Sequence, residues 1–284
     1  MSKNVGRNRV KISFIGAGKI GLSLGRYFVN KNLKVAGYFD TVKSLAERAA
    51  TETESVVFQN YREIIDQSDI IFVTVPDGVI NSVWENLLTH KIKDKLFVHT
   101  SGALSSQVFL GARERNCKVM SIHPMMTFAG GDTDIEKMEK MPLTIEGDLE
   151  EFEDFLDKVP NNKFSISPDK KVNYHLAGVF ASNLLISVIH RAIANIEKSG
   201  LETGKEIIFP IIEKTIENIK EKGTSRSITG PLERGDIDTI LKHLEVQRGV
   251  EKKLYKAASL ELLEILKDSD RDYSEIKKLL EEEE

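Results

Sequence analysis

Residues 10–21 read VKISFIGAGKIG. An apolar strand over Val10–Ile15 passes directly into the pattern G-x-G-x-x-G, which opens a helix over Lys19–Asn30. The first glycine allows a tight turn, the second lets a diphosphate approach the backbone, and the third packs the helix on the strand. Unpaired amide N–H groups at the helix start would then face the anion. The alternative is that these glycines only end a strand. The pattern predicts a dinucleotide-binding segment formed by Gly16, Ala17, Gly18, Lys19, Ile20 and Gly21.

An acidic residue stands where the ribose of such a ligand would lie. Asp40 follows the second predicted strand, Leu33–Phe39, and comes 19 positions after Gly21, close to the roughly 20 typical of a ribose-binding acid. A carboxylate there accepts from the 2′-hydroxyl of NAD and repels the 2′-phosphate of NADP. Lys43 favours NADP instead, because its side chain could turn toward a 2′-phosphate. A second alternative is that Asp40 caps the next helix. We expect an NAD(P) coenzyme, with NAD favoured.

The first half of the chain alternates strands and helices, and the second half is helical. Further strands are predicted at Val56–Phe58, Ile70–Val75, Leu96–Val98, Lys118–Ile122, Leu143–Ile145 and Phe164–Ile166, and helices at Lys43–Ala50, Ile80–Leu88, Ser106–Arg115 and Leu149–Asp157. Such alternation predicts a doubly wound, mostly parallel sheet of the Rossmann type. After Pro168 the helical windows are Lys170–Ser199, Glu206–Lys222 (which Pro210 kinks or starts), Asp236–His243, Val246–Leu266 and Tyr273–Leu280. We expect a dinucleotide-binding domain over residues 1–167 and an all-α domain over 168–284.

Composition argues against several kinds of partner. Lysine plus arginine number 40 against 44 acidic residues, so the net charge is −4, and the pI near 6.0 provides no basic field for nucleic acid or anionic membrane. Cys117 is the single cysteine, which predicts neither an intramolecular disulfide nor a zinc cluster. The leader Met1–Arg9 is polar, and no window approaches 18 uninterrupted apolar residues. We expect a cytoplasmic protein without metal or membrane. The run Glu281–Glu284 is expected to end a solvated helix, with an acidic interaction tail as the alternative.

Polar residues follow three neighbouring strands of the predicted sheet. They are Val75-Pro76-Asp77, His99-Thr100-Ser101-Gly102 and His123-Pro124. Because ligands bind beyond the carboxyl ends of parallel strands, we expect Val75, Pro76, Asp77, Thr100 and Ser101 beside the coenzyme and His123 beside the substrate. A histidine can donate or accept a proton at neutral pH. Asp77 could instead cap the next helix, and each histidine could be a buried, hydrogen-bonded structural residue.

The first long helix of the second half carries a polar stripe. Lys171 and His175 are four residues apart and Ser182 is seven further, so all three share one helical face, with Asn183 beside it. Polar groups on an otherwise apolar helix need partners or face a cavity. We expect a substrate site there, with His175 as the acid; hydrogen bonds inside an interface are the alternative. Arg234 could hold a substrate carboxylate or form a plain salt bridge.

Taken in order along the chain, these motifs resemble those of one family. They are Gly16–Gly21, Val75-Pro76-Asp77, His99-Thr100-Ser101-Gly102, His123-Pro124, Tyr174-His175 with Ala181-Ser182-Asn183, and Thr229-Gly230-Pro231 with Arg234-Gly235-Asp236. Over roughly residues 10–265 the chain resembles Rossmann-like proteins with a domain of unknown function, DUF2520, within the 6-phosphogluconate dehydrogenase-like and pyrroline-5-carboxylate reductase-like superfamily. The resemblance implies an N-terminal nicotinamide-dinucleotide domain and an all-helical C-terminal domain that usually dimerises.

The resemblance does not supply a reaction. In related β-hydroxyacid dehydrogenases a lysine and an asparagine four residues apart on the first long helix carry out proton transfer and substrate binding, whereas the pair here is Lys171 and His175. We expect an NAD(P)-dependent oxidoreductase that transfers hydride between nicotinamide and a small polar C=O/C–OH or C=N/C–N substrate. Its C-terminal helices are expected to form a homodimer. The alternative is a non-catalytic dinucleotide-binding redox sensor or scaffold.

Overall fold

The computed structural model describes residues 10–128, 134–201 and 203–282. The leader Met1–Arg9 and the last two residues of the run Glu281–Glu284 lie outside the described residues. Contacts divide the chain into two units, residues 1–183 and 184–284, and each unit is described by itself. The sequence placed the change to helical structure at Ser167–Pro168, whereas the two units divide after Asn183.

Among the described residues, eight strands form one sheet in the first unit, in the order β3-β2-β1-β4-β5-β6-β7-β8. The strands are β1 (Lys11–Ile15), β2 (Lys34–Phe39), β3 (Val56–Val57), β4 (Ile70–Val73), β5 (Leu96–His99), β6 (Lys118–Pro124), β7 (Leu143–Gly147) and β8 (Lys163–Ser165). Neighbouring strands are parallel except β6 and β7, which are antiparallel. The predicted doubly wound, mostly parallel sheet is confirmed. Its strand order reverses at β1 and β4, the place where such sheets bind ligands.

The helices of the first unit agree with the sequence in part. They are α1 (Lys19–Asn30), α2 (Lys43–Glu52), α3 (Tyr61–Gln67), α4 (Asp77–Leu88), α5 (Ile135–Lys140), α6 (Glu153–Leu156) and α7 (Lys171–Val179). The predicted helix Ser106–Arg115 is wrong. That segment forms two 3₁₀ turns, Ser106–Val108 and Arg113–Arg115, because Gly111 between them adopts a φ of 73°, outside the helical region. Helices α3 and α5 were not predicted, since seven and six residues are too few for a clear apolar period.

Both faces of the sheet are covered, which explains the apolar composition of its central strands. Every residue of β4 is buried, as expected for a strand packed on both sides. On one face Phe14 and Phe72 pack with their rings 5.3 Å apart. On the other face Trp84 meets Phe97 edge to face at 5.0 Å. Aromatic pairs of this kind stabilise a core beyond simple burial, so the strand ends that carry the site are held in a rigid frame.

The second unit is helical, as predicted. Its helices are α8 (Leu185–Lys198), α9 (Gly204–Lys222), α10 (Pro231–Arg234), α11 (Ile237–Val246), α12 (Gly249–Ile265) and α13 (Ser274–Glu281). Pro210 lies inside α9, so it does not mark the start of that helix. A core that includes Ile240, Leu263 and Ile276 joins the later helices.

The described part of the chain contains one helical run, Pro168–Lys198, that could cross a membrane by length and composition alone. Its mean hydropathy is 1.6 over an 18-residue window, although Ser182, Asn183 and Ser187 interrupt its apolar stretch. The run includes π-helical residues Phe180–Leu184. Its first turn carries Lys171, which is fully buried in the first unit.

Candidate active site

The glycine turn after β1 has the geometry that its sequence predicts. Gly16 adopts a φ of 99°, and a Cβ there would lie 2.8 Å from the Thr74 backbone. At Gly21 a Cβ would collide with the Gly16 carbonyl, so α1 packs closely on the turn. The Thr74 hydroxyl donates to the Gly16 carbonyl at 2.6 Å. The turn is therefore fixed between β1 and β4 and cannot accept side chains at these two positions.

Gly18 differs from the two glycines that flank it. Its φ is −67°, and a Cβ placed on it would meet no atom within 4 Å. Gly18 is also the N-cap residue of α1, whose first turn has neither a side-chain cap nor an acidic residue. The open space therefore lies against amide N–H groups at the positive end of a helix, an arrangement that binds phosphates. A dinucleotide diphosphate fits this cradle.

The carboxylate of Asp40 connects β2 to the glycine turn. Its Oδ2 accepts from the Ala17 N–H at 2.7 Å and its Oδ1 accepts from the Val42 N–H at 2.8 Å. The alternative that Asp40 is the capping residue of α2 is wrong. The N-cap residue of that helix is Val42, and no side chain caps the first turn. A carboxylate has room for about four hydrogen bonds, so Asp40 can still accept from a ribose hydroxyl. Lys43 forms an ion pair with Glu47 at 3.4 Å.

The ends of β4 and β5 are joined by a hydrogen bond between side chains. Ser101 donates to Asp77 Oδ2 at 2.6 Å and accepts from the N–H groups of Ala103 and Leu104 at 3.2 and 2.9 Å. Asp77 is the first residue of α4, and its N-cap Pro76 makes no side-chain cap. Asp77 thus holds the loop after β5 rather than capping a helix. Thr100 lies buried in that loop.

Lys171, at the start of α7, is fully buried in the first unit. Its Nζ donates to the Ser101 carbonyl at 3.1 Å and to Ser121 Oγ at 2.7 Å. Burial lowers the pKa of Lys171, while the carboxylates of Glu146 and Asp77 raise it. The ammonium group therefore joins α7 to the ends of β5 and β6 through two hydrogen bonds.

His123 and His175 meet over Gly102, directly beyond the ends of β5 and β6. Their ring centroids are 6.1 Å apart and nearly perpendicular. A Cβ on Gly102 would lie 2.7 Å from His175 Cδ2 and 2.8 Å from His123 Nε2. Burial lowers the pKa of His123 to about 4, assisted by the positive charge of Lys171 and by His175. The sequence predicted both histidines as site residues, and the fold brings them together with Lys171.

Tyr174 is a site residue that the sequence placed in a motif without a role. Its hydroxyl lies 2.8 Å from His123 Nδ1, and the two rings meet edge to face at 5.4 Å. Its spacing gave a signal, because Tyr174 lies three residues after Lys171 and so shares its side of the helix. Gly102 is a second such residue. Its role is to let the rings of His123 and His175 pack closely, which only the structure shows.

Ser182 and Asn183 are adjacent and lie about two turns beyond His175, in the π-helical segment Phe180–Leu184. The Ser182 hydroxyl donates to the Gly178 carbonyl at 2.6 Å and to Asn183 Oδ1 at 3.2 Å, so its proton is used within its own helix. Asn183 is exposed. The structure gives neither residue a contact with His123 or His175 among its described hydrogen bonds. Their predicted role remains a prediction.

Two further expectations concern residues outside this cluster. Arg234 ends α10 in the second unit, where Asp236 caps α11 by accepting from the Thr239 N–H at 3.1 Å. Within the described residues, no group of three or more histidine, cysteine, aspartate or glutamate side chains could hold a metal ion. Cys117 is buried and unpaired.

A parallel sheet with a glycine turn at its switch point defines the class of Rossmann-like proteins, and residues 1–124 match the Rossmann-like domain. Within that class, residues 141–262 match the domain of unknown function DUF2520. Both matches agree with the resemblance that the motifs indicated.

Several solved structures share the fold. A protein from Thermotoga maritima is 25% identical, with a TM-score of 0.69, over 92% of this chain and 100% of that one. A Bacteroides fragilis protein named provisionally as an NADP oxidoreductase is 22% identical, with a TM-score of 0.76, over 90% and 98% of the chains. Pyrroline carboxylate reductase from Plasmodium falciparum, solved with NADP bound, is 17% identical, with a TM-score of 0.57, over 91% and 96%.

A curated relative matches over a shorter stretch. It is YqeC of Bacillus subtilis (strain 168), whose name assigns it provisionally as a 6-phosphogluconate dehydrogenase. The two sequences are 29% identical over 75 residues, which is 26% of this chain and 25% of YqeC. The chain therefore spans about a quarter of the length of this relative.

Proposed function

We propose that the protein is an NAD(P)-dependent oxidoreductase acting on a small polar substrate with a C=O/C–OH or C=N/C–N bond. The observation that carries the proposal is that a candidate coenzyme site and a candidate proton-transfer site lie along the same edge of the sheet. The open cradle at Gly18 suits a diphosphate, and His123, His175 and Lys171 meet beyond the neighbouring strands. The fold of named reductases with nicotinamide coenzymes supports this assignment.

Residues on the β1–α1 side would hold the coenzyme. The amides of the Gly16–Gly21 turn and the start of α1 face the diphosphate, and Asp40 accepts from the ribose. Val75, Pro76, Thr100 and Ser101 border the nicotinamide end. The coenzyme, when bound, supplies or accepts hydride. The chain contributes position and one proton.

The remaining groups divide into holding and proton-transferring residues. Lys171 is occupied by Ser101 and Ser121, so we assign it to fixing the loop after β5 against α7. Asp77 fixes the same loop through Ser101. His123 and His175 are half-buried and face Gly102, which leaves the two histidines as the candidates for proton transfer to substrate.

Calorimetry with NADH, NADPH and their oxidised forms tests the proposal directly. We expect one coenzyme to bind, followed by turnover in an absorbance screen at about 340 nm across small carbonyl and imine compounds. No association with any of the four forms would overturn the proposal. Binding without turnover across the screen would favour the redox sensor or scaffold instead.

NAD is the proposed preferred coenzyme, and Asp40 the residue that selects it. We expect wild-type protein to bind NADH roughly tenfold or more tightly than NADPH, since a carboxylate repels a 2′-phosphate. Asp40→Asn should reduce that ratio to near one in isothermal titration. Lys43→Gln is the matched control, because it removes the neighbouring counter-charge. A larger loss of NADPH than of NADH binding in Lys43→Gln would show that the site selects NADP.

We also propose that two copies of the chain associate through α8 and α9. These helices pack on each other and expose apolar side chains: Leu185, Ile186 and Val188 on α8, and Ile207, Phe209, Ile211, Ile216 and Ile219 on α9. Ile186 is 66% exposed and Ile211 63%. Contiguous apolar surface of this kind marks an interaction site, and a second copy presents a face that matches it.

Ile211→Glu is expected to convert a dimer into a monomer at micromolar concentration, as measured by light scattering. The side chain is exposed, so the fold should survive, and circular dichroism checks this. Leu110→Glu is the control, because Leu110 is 71% exposed but lies in the first unit. A wild-type monomer, or a dimer that withstands Ile211→Glu, would contradict the proposal. Binding of the wild type to lipid vesicles would assign the face to a membrane instead.

A further inference from the structure

His123 is held on one side by the hydroxyl group of Tyr174, next to its cross-strand neighbour Thr144. Its Nδ1 lies 2.8 Å from the Tyr174 hydroxyl. Thr144 is directly opposite His123 in the antiparallel β6–β7 register, so both side chains lie on one face of the sheet. Burial raises the pKa of Tyr174, while a hydrogen bond from the Thr144 side chain opposes this shift. A group that stabilises the phenolate does so by donating to the phenolic oxygen.

The Tyr174 hydroxyl can donate its proton across this 2.8 Å contact to His123 Nδ1, which then accepts. A neutral imidazole carries one proton, and His123 is neutral at pH 7 because burial lowers its pKa to about 4. The proton must therefore be on Nε2.

The opposite edge of the His123 ring faces the site. A Cβ on Gly102 would lie 2.8 Å from Nε2 and 2.7 Å from His175 Cδ2, so only glycine lets both rings pack this closely. Within the described residues, Nε2 has no hydrogen-bond partner. It is therefore the nitrogen of His123 that remains for a substrate oxygen or nitrogen.

We propose that Tyr174 is a positioning residue that fixes His123 in the Nε2–H tautomer, so that His123 rather than His175 presents the proton to the substrate. The inference rests on the proposed function and names its proton donor. As the carbon of the substrate gains hydride, the Nε2–H bond breaks and a new bond to hydrogen forms on the substrate oxygen or nitrogen. Nδ1 takes the phenolic proton of Tyr174 as Nε2 loses its own. Nε2 then takes up one proton from the buffered solvent, and Nδ1 returns the phenolic proton to Tyr174, which restores the Nε2–H tautomer. The imidazole is neutral before and after the step.

The tautomer can be observed without a substrate. The chain contains six histidines, so protein labelled with ¹⁵N-histidine gives a readable long-range ¹H–¹⁵N spectrum at neutral pH. The His123 signals are assigned by their loss in His123→Asn. We expect Nε2 of wild-type His123 to be protonated and Nδ1 unprotonated. In Tyr174→Phe the preference for that tautomer should fall by roughly fivefold, the effect of one net hydrogen bond.

A second histidine–tyrosine pair provides the matched control. His243 Nδ1 lies 3.0 Å from the Tyr255 hydroxyl, with the rings perpendicular at 5.8 Å, in the second unit. Tyr255→Phe should change the His243 signals and leave those of His123 unchanged. Once a substrate is found, Tyr174→Phe should lower kcat by roughly tenfold to a hundredfold, without changing the Kd of the coenzyme, whereas Tyr255→Phe should change neither.

Two results would overturn the inference: wild-type His123 protonated on Nδ1, or a His123 tautomer that is the same in Tyr174→Phe. The first is read on wild-type protein, so it does not depend on the folding of a variant. Coenzyme binding is measured separately. Absence of binding with an Nε2–H tautomer would reject the oxidoreductase assignment and leave the role of Tyr174 in the tautomer intact.

Discussion

Gly18→Ala is expected to fold as well as the wild type and to lose coenzyme affinity by roughly a hundredfold, equivalent to about 2.7 kcal/mol. The φ of −67° at Gly18 is open to alanine, and the new Cβ would meet no protein atom within 4 Å. The methyl group would instead fill the space where a diphosphate must approach the amides of α1. Isothermal titration measures the affinity, and chemical unfolding in the absence of coenzyme measures the stability.

Gly21→Ala is the contrasting variant. Its Cβ would collide with the Gly16 carbonyl and lie 2.7 Å from the Thr74 hydroxyl, so we expect a loss of stability as well as of binding. Gly18→Ala, by contrast, should gain about 0.4–1 kcal/mol of stability, because alanine has fewer unfolded conformations. Unchanged coenzyme binding by Gly18→Ala would mean that the diphosphate does not approach this residue.

The alternating half of the fold could be predicted because its signals are local. A strand buried on both faces, such as β4, is continuously apolar, and the boundaries of α1 follow from the glycine turn before it. The segment after Gly102 was assigned wrongly for a physical reason. Residues 106–115 have helical apolar spacing, but the tertiary contacts of Phe109 with Trp84 and the positive φ of Gly111 replace a helix with separate turns.

The candidate site was predictable where strand ends determine it. His123 lies at the end of β6 and Ser101 follows the neighbouring β5, so their proximity follows from the sheet order. The role of Lys171 was not predictable in the same way. Helical spacing placed it on a stripe with Ser182, but its side chain is buried against Ser101 and Ser121, which come from elements far away in the sequence. Which polar group a residue reaches depends on packing angles that no local pattern encodes.

His99 is a second residue whose environment could not be predicted from the local sequence. It ends β5 and was grouped with the site motif, yet it is fully buried. Its Nδ1 accepts from the Ser101 N–H at 3.2 Å, and its ring lies 5.5 Å from that of Phe109. Among the described residues, its Nε2 is buried without a hydrogen-bond partner. The structural interpretation that the sequence left open therefore describes His99, whereas the functional role of His123 stays a proposal.

Because of these environments, the protein is expected to lose stability steeply as the pH falls from about 6.5 to about 4. Burial lowers the pKa of His99 to about 4, with the charge of Lys171 acting in the same direction, and His123 is lowered to about 4 as well. The unfolded chain, with histidine pKa values near 6.5, binds these protons first, so the folded state is penalised throughout that interval. Above about pH 6.5 both histidines are neutral in either state, and the penalty vanishes.

His99→Asn separates the contribution of one histidine from the rest. The asparagine oxygen can still accept from the Ser101 N–H, but the side chain does not titrate. The free energy of unfolding should therefore fall less between pH 6.5 and pH 4, by about 3 kcal/mol relative to wild type, the energy of a shift from 6.5 to about 4. Urea unfolding at a series of pH values measures the slope. His190→Asn is the control, because it makes the same exchange at an exposed side chain. If the free energy of unfolding depends on pH equally in wild type and His99→Asn, His99 accepts a proton as readily in the folded state as in the unfolded chain. The burial of His99 would then not be a cause of acid instability.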